Sequence, residues 1–250
     1  MTTPLDAFGP GSIIVTRTDI ANQTPINIGY AQEFSPEFSG NIKELYGQNQ
    51  YPLDAARGTV KISGKIKAAV LSGIAWNSTF FGNNFVSGGL KWNQNEAWAI
   101  PGTPFQVTVI NAATFDQDLG VVYAVSNLPF IKVASAPIIG QYSVSAAGVY
   151  TFATADSAVV GGVLVNYTST VTTGQTLNIS NMLIGSSPTF QLDYYTMRSG
   201  KAFIARYNQC QAAKIAIAAK LEDFIMPEFE IHMFANAAGN VGKLIFPEVS

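Results

Sequence analysis

The chain is poor in reactive side chains. Its 250 residues include one cysteine, Cys210, and one histidine, His232. A single thiol excludes an intrachain disulfide and leaves no ligand set for a cysteine zinc site. A lone histidine is thin support for an acyl-transfer triad or for a catalytic metal, which takes about three protein ligands. The sequence has no Gly-x-Ser-x-Gly elbow and no Gly-x-x-x-x-Gly-Lys phosphate loop. Asp116-Gln117-Asp118 lacks the glycine and closing glutamate of a calcium loop. His232 beside Glu230 reads as the solvated side of a strand. Asp193, Glu228 and Glu230 are the remaining carboxylates that sugar hydrolysis would pair. The expectation is a protein that is not an enzyme and uses no cofactor or metal.

Charge is also scarce. Only 12% of residues are Asp, Glu, Lys or Arg, against about 25% in ordinary soluble domains. The polar surface must come from Ser, Thr, Asn and Gln, with little repulsion to keep copies apart. That favours a surface covered by further subunits over a neutral β protein living alone. A net charge of −2 gives no electrostatic pull toward nucleic acid or an anionic membrane. No run approaches the ~18 apolar residues of a membrane helix. The opening MTTPLDAFGPG has neither a basic nor an apolar stretch, so a cytoplasmic origin is expected.

What the chain does have is alternation. From Gly58, the residues Val60, Ile62, Ile66, Ala68 and Val70 share one phase, and Lys61, Ser63, Lys65 and Lys67 share the other. Gly64 in that run marks a bulge or a close neighbour. Further strands are expected over 12–18, 25–38, 104–112, 119–125, 130–133, 141–144, 149–153, 162–172, 175–179, 190–197, 201–207, 228–235 and 241–246; the alanines of 210–221 allow a helix, but its alternation favours a strand. Residues 72–82 predict a short helix capped by Ser72 and ended by Gly82, and 82–95 a Gly/Asn-rich loop. The fold expected is mainly β, an antiparallel barrel or sandwich with one short flanking α-helix. It is read as a single domain over 1–250, with a flexible arm at 1–11 and a β insertion or embellishment at 115–180.

Residues 39–56 have no clear period and predict a long connection. Loops of that length inside a compact domain are usually functional or disordered. Here Ile42, Leu45, Tyr46, Tyr51, Pro52 and Leu53 are too apolar to stay in water. They are candidate subunit contacts, and the simplest surface for them is a neighbouring copy; a ligand pocket within the same chain is the alternative. Next to them Arg57, Lys61, Lys65 and Lys67 form a basic comb. It suits either phosphates, a partner's carboxylates or plain solvent.

Two stretches, ELYGQNQYPLDAARGTVKISGKIKAAVLSGIAWNSTFFG (44–82) and KLEDFIMPEFEIHMFANAAGNVGKLIF (220–246), resemble tail tube proteins of tailed bacteriophages. The segment DLGVVYAVSN…GQYSVSAAGVYTFATAD is similar to β segments of phage structural proteins. The resemblance implies a small β barrel or sandwich assembling as hexameric rings that stack into a tube. In it, residues 39–56 would contact the next ring, 72–81 would be the helix, and 1–11 an inter-ring arm. It implies that DNA passes through the lumen without specific binding. The implied location is a virion tail assembled in the host cytoplasm. Partners would include sheath, tape-measure, baseplate and tail terminator proteins, and no membrane. The chain is larger than a minimal tube protein, which leaves 115–180 as an outward-facing insertion. A conduit must not hold DNA, so the comb is expected to face away from the lumen or to be balanced by Asp54, Glu228 or Glu230. Two alternatives stay open: a carbohydrate-binding or adhesive β-sandwich module, argued from Trp92 and Trp98, and a capsid decoration or other virion protein.

Overall fold

The computed structural model describes residues 10–198, 201–219, 221–222 and 224–246. It is mainly β, with antiparallel sheets and one short helix. In chain order the strands are β1 (Gly11–Arg17), β2 (Ile26–Tyr46), β3 (Pro52–Ala68), β4 (Phe85–Trp98), β5 (Gln106–Thr108), β6 (Phe115–Tyr123), β7 (Ile131–Lys132), β8 (Gln141–Val144), β9 (Val149–Phe152), β10 (Val163–Leu177), β11 (Phe190–Arg198), β12 (Lys201–Ala216), β13 (Glu228–Met233) and β14 (Gly242–Ile245). The helix α1 (Gly73–Trp76) runs into a π-helical turn at Asn77–Phe81. Among the described residues no helix is long and apolar enough to cross a membrane.

The chain divides into two compact units: residues 1–84 with 179–250, and residues 85–178. The second unit begins at Phe85, well before the 115 expected for an embellishment. The proposed arm at 1–11 lies almost wholly outside the described residues, and Gly11 already belongs to β1.

The first unit is a closed barrel. Its order is β11-β1-β2-β3-β13-β12, and β12 pairs again with β11 to complete the circuit, all antiparallel. β14 adds beside the N-terminal half of β12. Closure is possible because β12 is long. Its residues 201–210 pair with β11, while 210–216 pair with β13. The Ala-rich 210–221 run is therefore strand through Ala216, as its alternation predicts. Ile13, Val15, Ile66, Leu192, Phe229 and Ile231 fill the interior at no more than 2% exposure. Each comes from the apolar phase of its strand. Gly64 leaves no room for a side chain: a Cβ there would stand 2.9 Å from Met233 Cε. Cys210 is buried in the same core, and burial pushes its thiol up to about 12.

The helix forms where its caps predict. Ser72 Oγ accepts from Ala75 N at 3.3 Å, and Gly82 ends the turn at φ 68°, its N–H reaching Asn77 O at 2.7 Å. Trp76 and Phe80, four apart, pack against the barrel core with buried Ala75.

The second unit shares one core between a three-stranded sheet, β4-β10-β6, and a four-stranded sheet, β5-β9-β8-β7. Only β7–β8 is parallel. The expected loop at 82–95 is strand from Phe85, since Val86, Leu90 and Trp92 find partners on β10. The two strands predicted at 162–172 and 175–179 are one, β10. It passes Thr173-Gly174 by a bulge rather than a turn. Asp118 ties this core together with 4% of its side chain exposed. It accepts from Tyr142 Oη at 2.8 Å and Tyr150 Oη at 2.9 Å, and pairs with Lys132 Nζ at 2.9 Å. Burial pushes its carboxyl up, but Lys132, the two tyrosines and Gly120 N–H outweigh it and hold the group below its ordinary value.

Candidate assembly surface

Residues 39–56 are not the irregular connection their sequence suggests. They are the outer half of a β2–β3 hairpin that runs past the barrel, with residues 47–51 as its turn. The missing period has a physical cause. Register shifts between Gly40 and Ile42 and between Leu45 and Tyr46 insert extra residues on β3 and switch the face each side chain takes. β1 leaves β2 after Ala31, and β13 pairs with β3 only from Ile62. Among the described residues, the two arms bond only to each other between those points.

Every residue from Glu37 to Lys61 is exposed. Ile42, Leu45, Tyr46, Tyr51 and Leu53 are 58–80% exposed, and Pro52 stands among them at the end of β3. The structure thus brings all six sequence candidates to one tip. The tip has some order of its own. Tyr46 Oη donates to Glu44, and Leu53 lies over Gly47, where a Cβ would meet its Cδ1 at 2.7 Å. An isolated two-stranded hairpin is marginal in water, and both of these arms expose unpaired edges.

The basic comb does not survive intact. The bulge at 58–59 places Arg57 opposite Ile42, on the face of Gly40 and Val60, where its Cδ would approach a Cβ on Gly40 at 3.1 Å. Lys61, Lys65 and Lys67 stay on the other face, opposite Ser39, Ser35 and Glu33. There they join carboxylates from two strands, β2 and β13. Lys67 Nζ lies 2.8 Å from Glu33 and 3.7 Å from Glu228, and Lys214 Nζ lies 3.4 Å from Glu230. The Lys67 hydrogen bond and charge hold the Glu33 carboxyl below its ordinary value, and Glu33 raises Lys67 in return. Four carboxylates, Glu33, Glu37, Glu228 and Glu230, and four lysines, Lys61, Lys65, Lys67 and Lys214, share this outer face. Its formal charge is zero.

Sequence reasoning took Glu228 and Glu230 into account but missed Glu33, Glu37 and Lys214. The signal was present in the alternation of Glu33, Ser35 and Glu37, but the flip at the Ala31/Glu33 register shift hides its phase. Asp54, the other carboxylate expected near the comb, sits opposite Leu45 at the tip, its side chain accepting from Ala55 N–H at 2.8 Å. His232 is exposed between Ser63 and Gln211. No cluster of metal-ligating side chains occurs among the described residues. Compared with known proteins, the chain matches no family model and no curated sequence.

Proposed function

We propose that this chain is a structural subunit that assembles with copies of itself into stacked rings, forming a tube through which DNA passes. One observation carries the reading: a hairpin that leaves the barrel, pairs with no other strand among the described residues, and exposes an apolar tip and two edges left unpaired by those residues. Such an element is stabilised when another surface covers it, and a second copy of the chain is always available to do so. The barrel's closed hydrogen-bond circuit supports the same reading, because among the described residues of the first unit it leaves the hairpin and β14 as the places where edge pairing can grow.

Transport of DNA is supported by the charge-balanced face across β2, β3, β13 and β12. Each neutralised phosphate releases counterions and tightens binding. A wall in which lysines are matched by carboxylates has no net attraction for a polyanion, so the polymer slides. The resemblance to bacteriophage tail tube proteins in 44–82 and 220–246 supports hexameric rings in a virion tail. Sheath, tape-measure, baseplate and terminator proteins would then be its further partners.

Negative-stain imaging of concentrated purified protein tests the proposal. Rings or tubes of uniform width are expected. A monodisperse monomer at every concentration and salt condition tried would reject it.

A further inference from the structure

The outer face of the β4-β10-β6 sheet carries chemistry that self-assembly does not use. Trp92 stands on it 68% exposed. Thr168 lies opposite Trp92 on β10, and Gln117 lies opposite Thr168 on β6. Directly opposed residues share a face, so an indole, a hydroxyl and an amide form one row across three strands. A register shift on β6 turns Asp116 to the same side, where its Oδ2 accepts from Thr168 Oγ1 at 2.8 Å. Leu90, opposite Thr170, continues the apolar strip along β4 at 61% exposure.

The platform is held still. One row along, Asn166 Oδ1 accepts from Asn95 N at 2.8 Å and its Nδ2 reaches Gly120 O at 3.4 Å, pinning both neighbouring strands. A Cβ on Gly120 would meet nothing within 4 Å, so the surface beside this row is an open shelf. On the reverse side of the sheet, Asn93 Nδ2 donates to Ser169 Oγ at 2.8 Å. The strand's alternation therefore commits Trp92 to the outside. Trp98 shows the contrast: its Nε1 donates to Glu96 at 2.7 Å and its ring packs on the core.

The occupant follows from the pattern. A protein interface of ordinary size buries some 800 Å² per partner around an apolar centre; here Leu90 and Trp92 are flanked across the sheet by the polar Thr170, Thr168 and Gln117. Nucleic acid calls for cations, and the charged group bonded into this row is a carboxylate. A pyranose has the matching form: a flat C–H face for the electron-rich indole, and hydroxyls that a carboxylate, an amide and a threonine can accept from or donate to. We propose that this face is a platform for a neutral glycan. Trp92 stacks on one sugar ring, Leu90 supports the next, and Asp116, Gln117 and Thr168 take the hydroxyls. The site lies within the 85–178 unit and does not depend on the assembly reading.

Titrating the full chain with cellohexaose, maltohexaose, chitohexaose and mannohexaose, to about 10 mM and by calorimetry and tryptophan fluorescence, tests this. At least one sugar is expected to bind. Trp92→Ala should weaken it about tenfold with unchanged thermal unfolding, since the side chain is exposed. Asp116→Asn should weaken it less. Binding of no member of the panel, binding that Trp92→Ala leaves unchanged, or a preference for heparin over every neutral sugar would each overturn the proposal.

Discussion

At the residue scale, two positions show how local chemistry is set by surroundings. Asp118 is a carboxylate made tolerable in a core by two tyrosine hydroxyls, one backbone N–H and one lysine. Its folded value lies below its ordinary 3.8. Its stabilisation is therefore complete above that value and is lost as the pH falls through the depressed one. Asp118→Asn is expected to cost about 1.5–3 kcal/mol near neutrality, read as a lower unfolding temperature. The loss of stability on acidification from about pH 5 to about pH 2 should be shallower in the variant. A parallel pH profile would remove Asp118 as its source. Gly64 is the opposite kind of constraint, a residue defined by lack of space. Gly64→Val must displace Met233 inside the barrel, at about 1–3 kcal/mol. Denaturant unfolding should show a lower midpoint with an unchanged slope.

At the element scale, the decisive feature is a strand pair longer than the sheet that supports it. β2 has 21 residues and β3 has 17, but β13 covers β3 only at Ile62–Lys67. Replacing residues 45–53 by an Asn-Gly turn, a two-residue connection suited to hairpins, removes the tip without touching a core residue. The variant is expected to unfold at the temperature of the parent and to form no stacked rings by negative stain. Tubes of unchanged yield and width would show that the tip does not dock. At this scale the sequence was legible where one face is buried: Phe229, Ile231 and Met233 inward against Glu228, Glu230 and His232, and the Ser72 and Gly82 caps. It was not legible where both faces meet solvent. Along residues 39–56 no core imposes a period of two, and bulges shift what period there is.

At the scale of the whole molecule, the chain is two units, one interrupting the other. The interruption is clean because its ends are paired. Phe85 lies opposite Leu177, and Val86 opposite Thr176, so the inserted unit leaves and returns on adjacent strands. Each unit has a core of its own. Residues 85–178 expressed alone are expected to unfold cooperatively, and a chain in which a short Gly-Ser linker replaces them should keep the barrel. Loss of cooperative unfolding in both pieces would show that neither core suffices by itself. The division was hidden in the sequence because residues 82–95, rich in Gly and Asn, imitate a loop. Their strand character comes from cross-strand partners far along the chain.

The sequence by itself determined the class of fold and the poverty of reactive groups, because alternation and composition act locally and need no partner to be read. It also named the six apolar residues of the tip, whose conflict with water is a property of the side chains alone. Only the tertiary structure decided that the strands close into a barrel and that the hairpin outruns it. The same holds for the carboxylates that neutralise the lysines, for the departure of Arg57 from them, and for Trp92 facing outward while Trp98 turns in. Each of those depends on register between distant strands, and register is fixed by which side chains a core accepts, a quantity no short stretch of sequence contains.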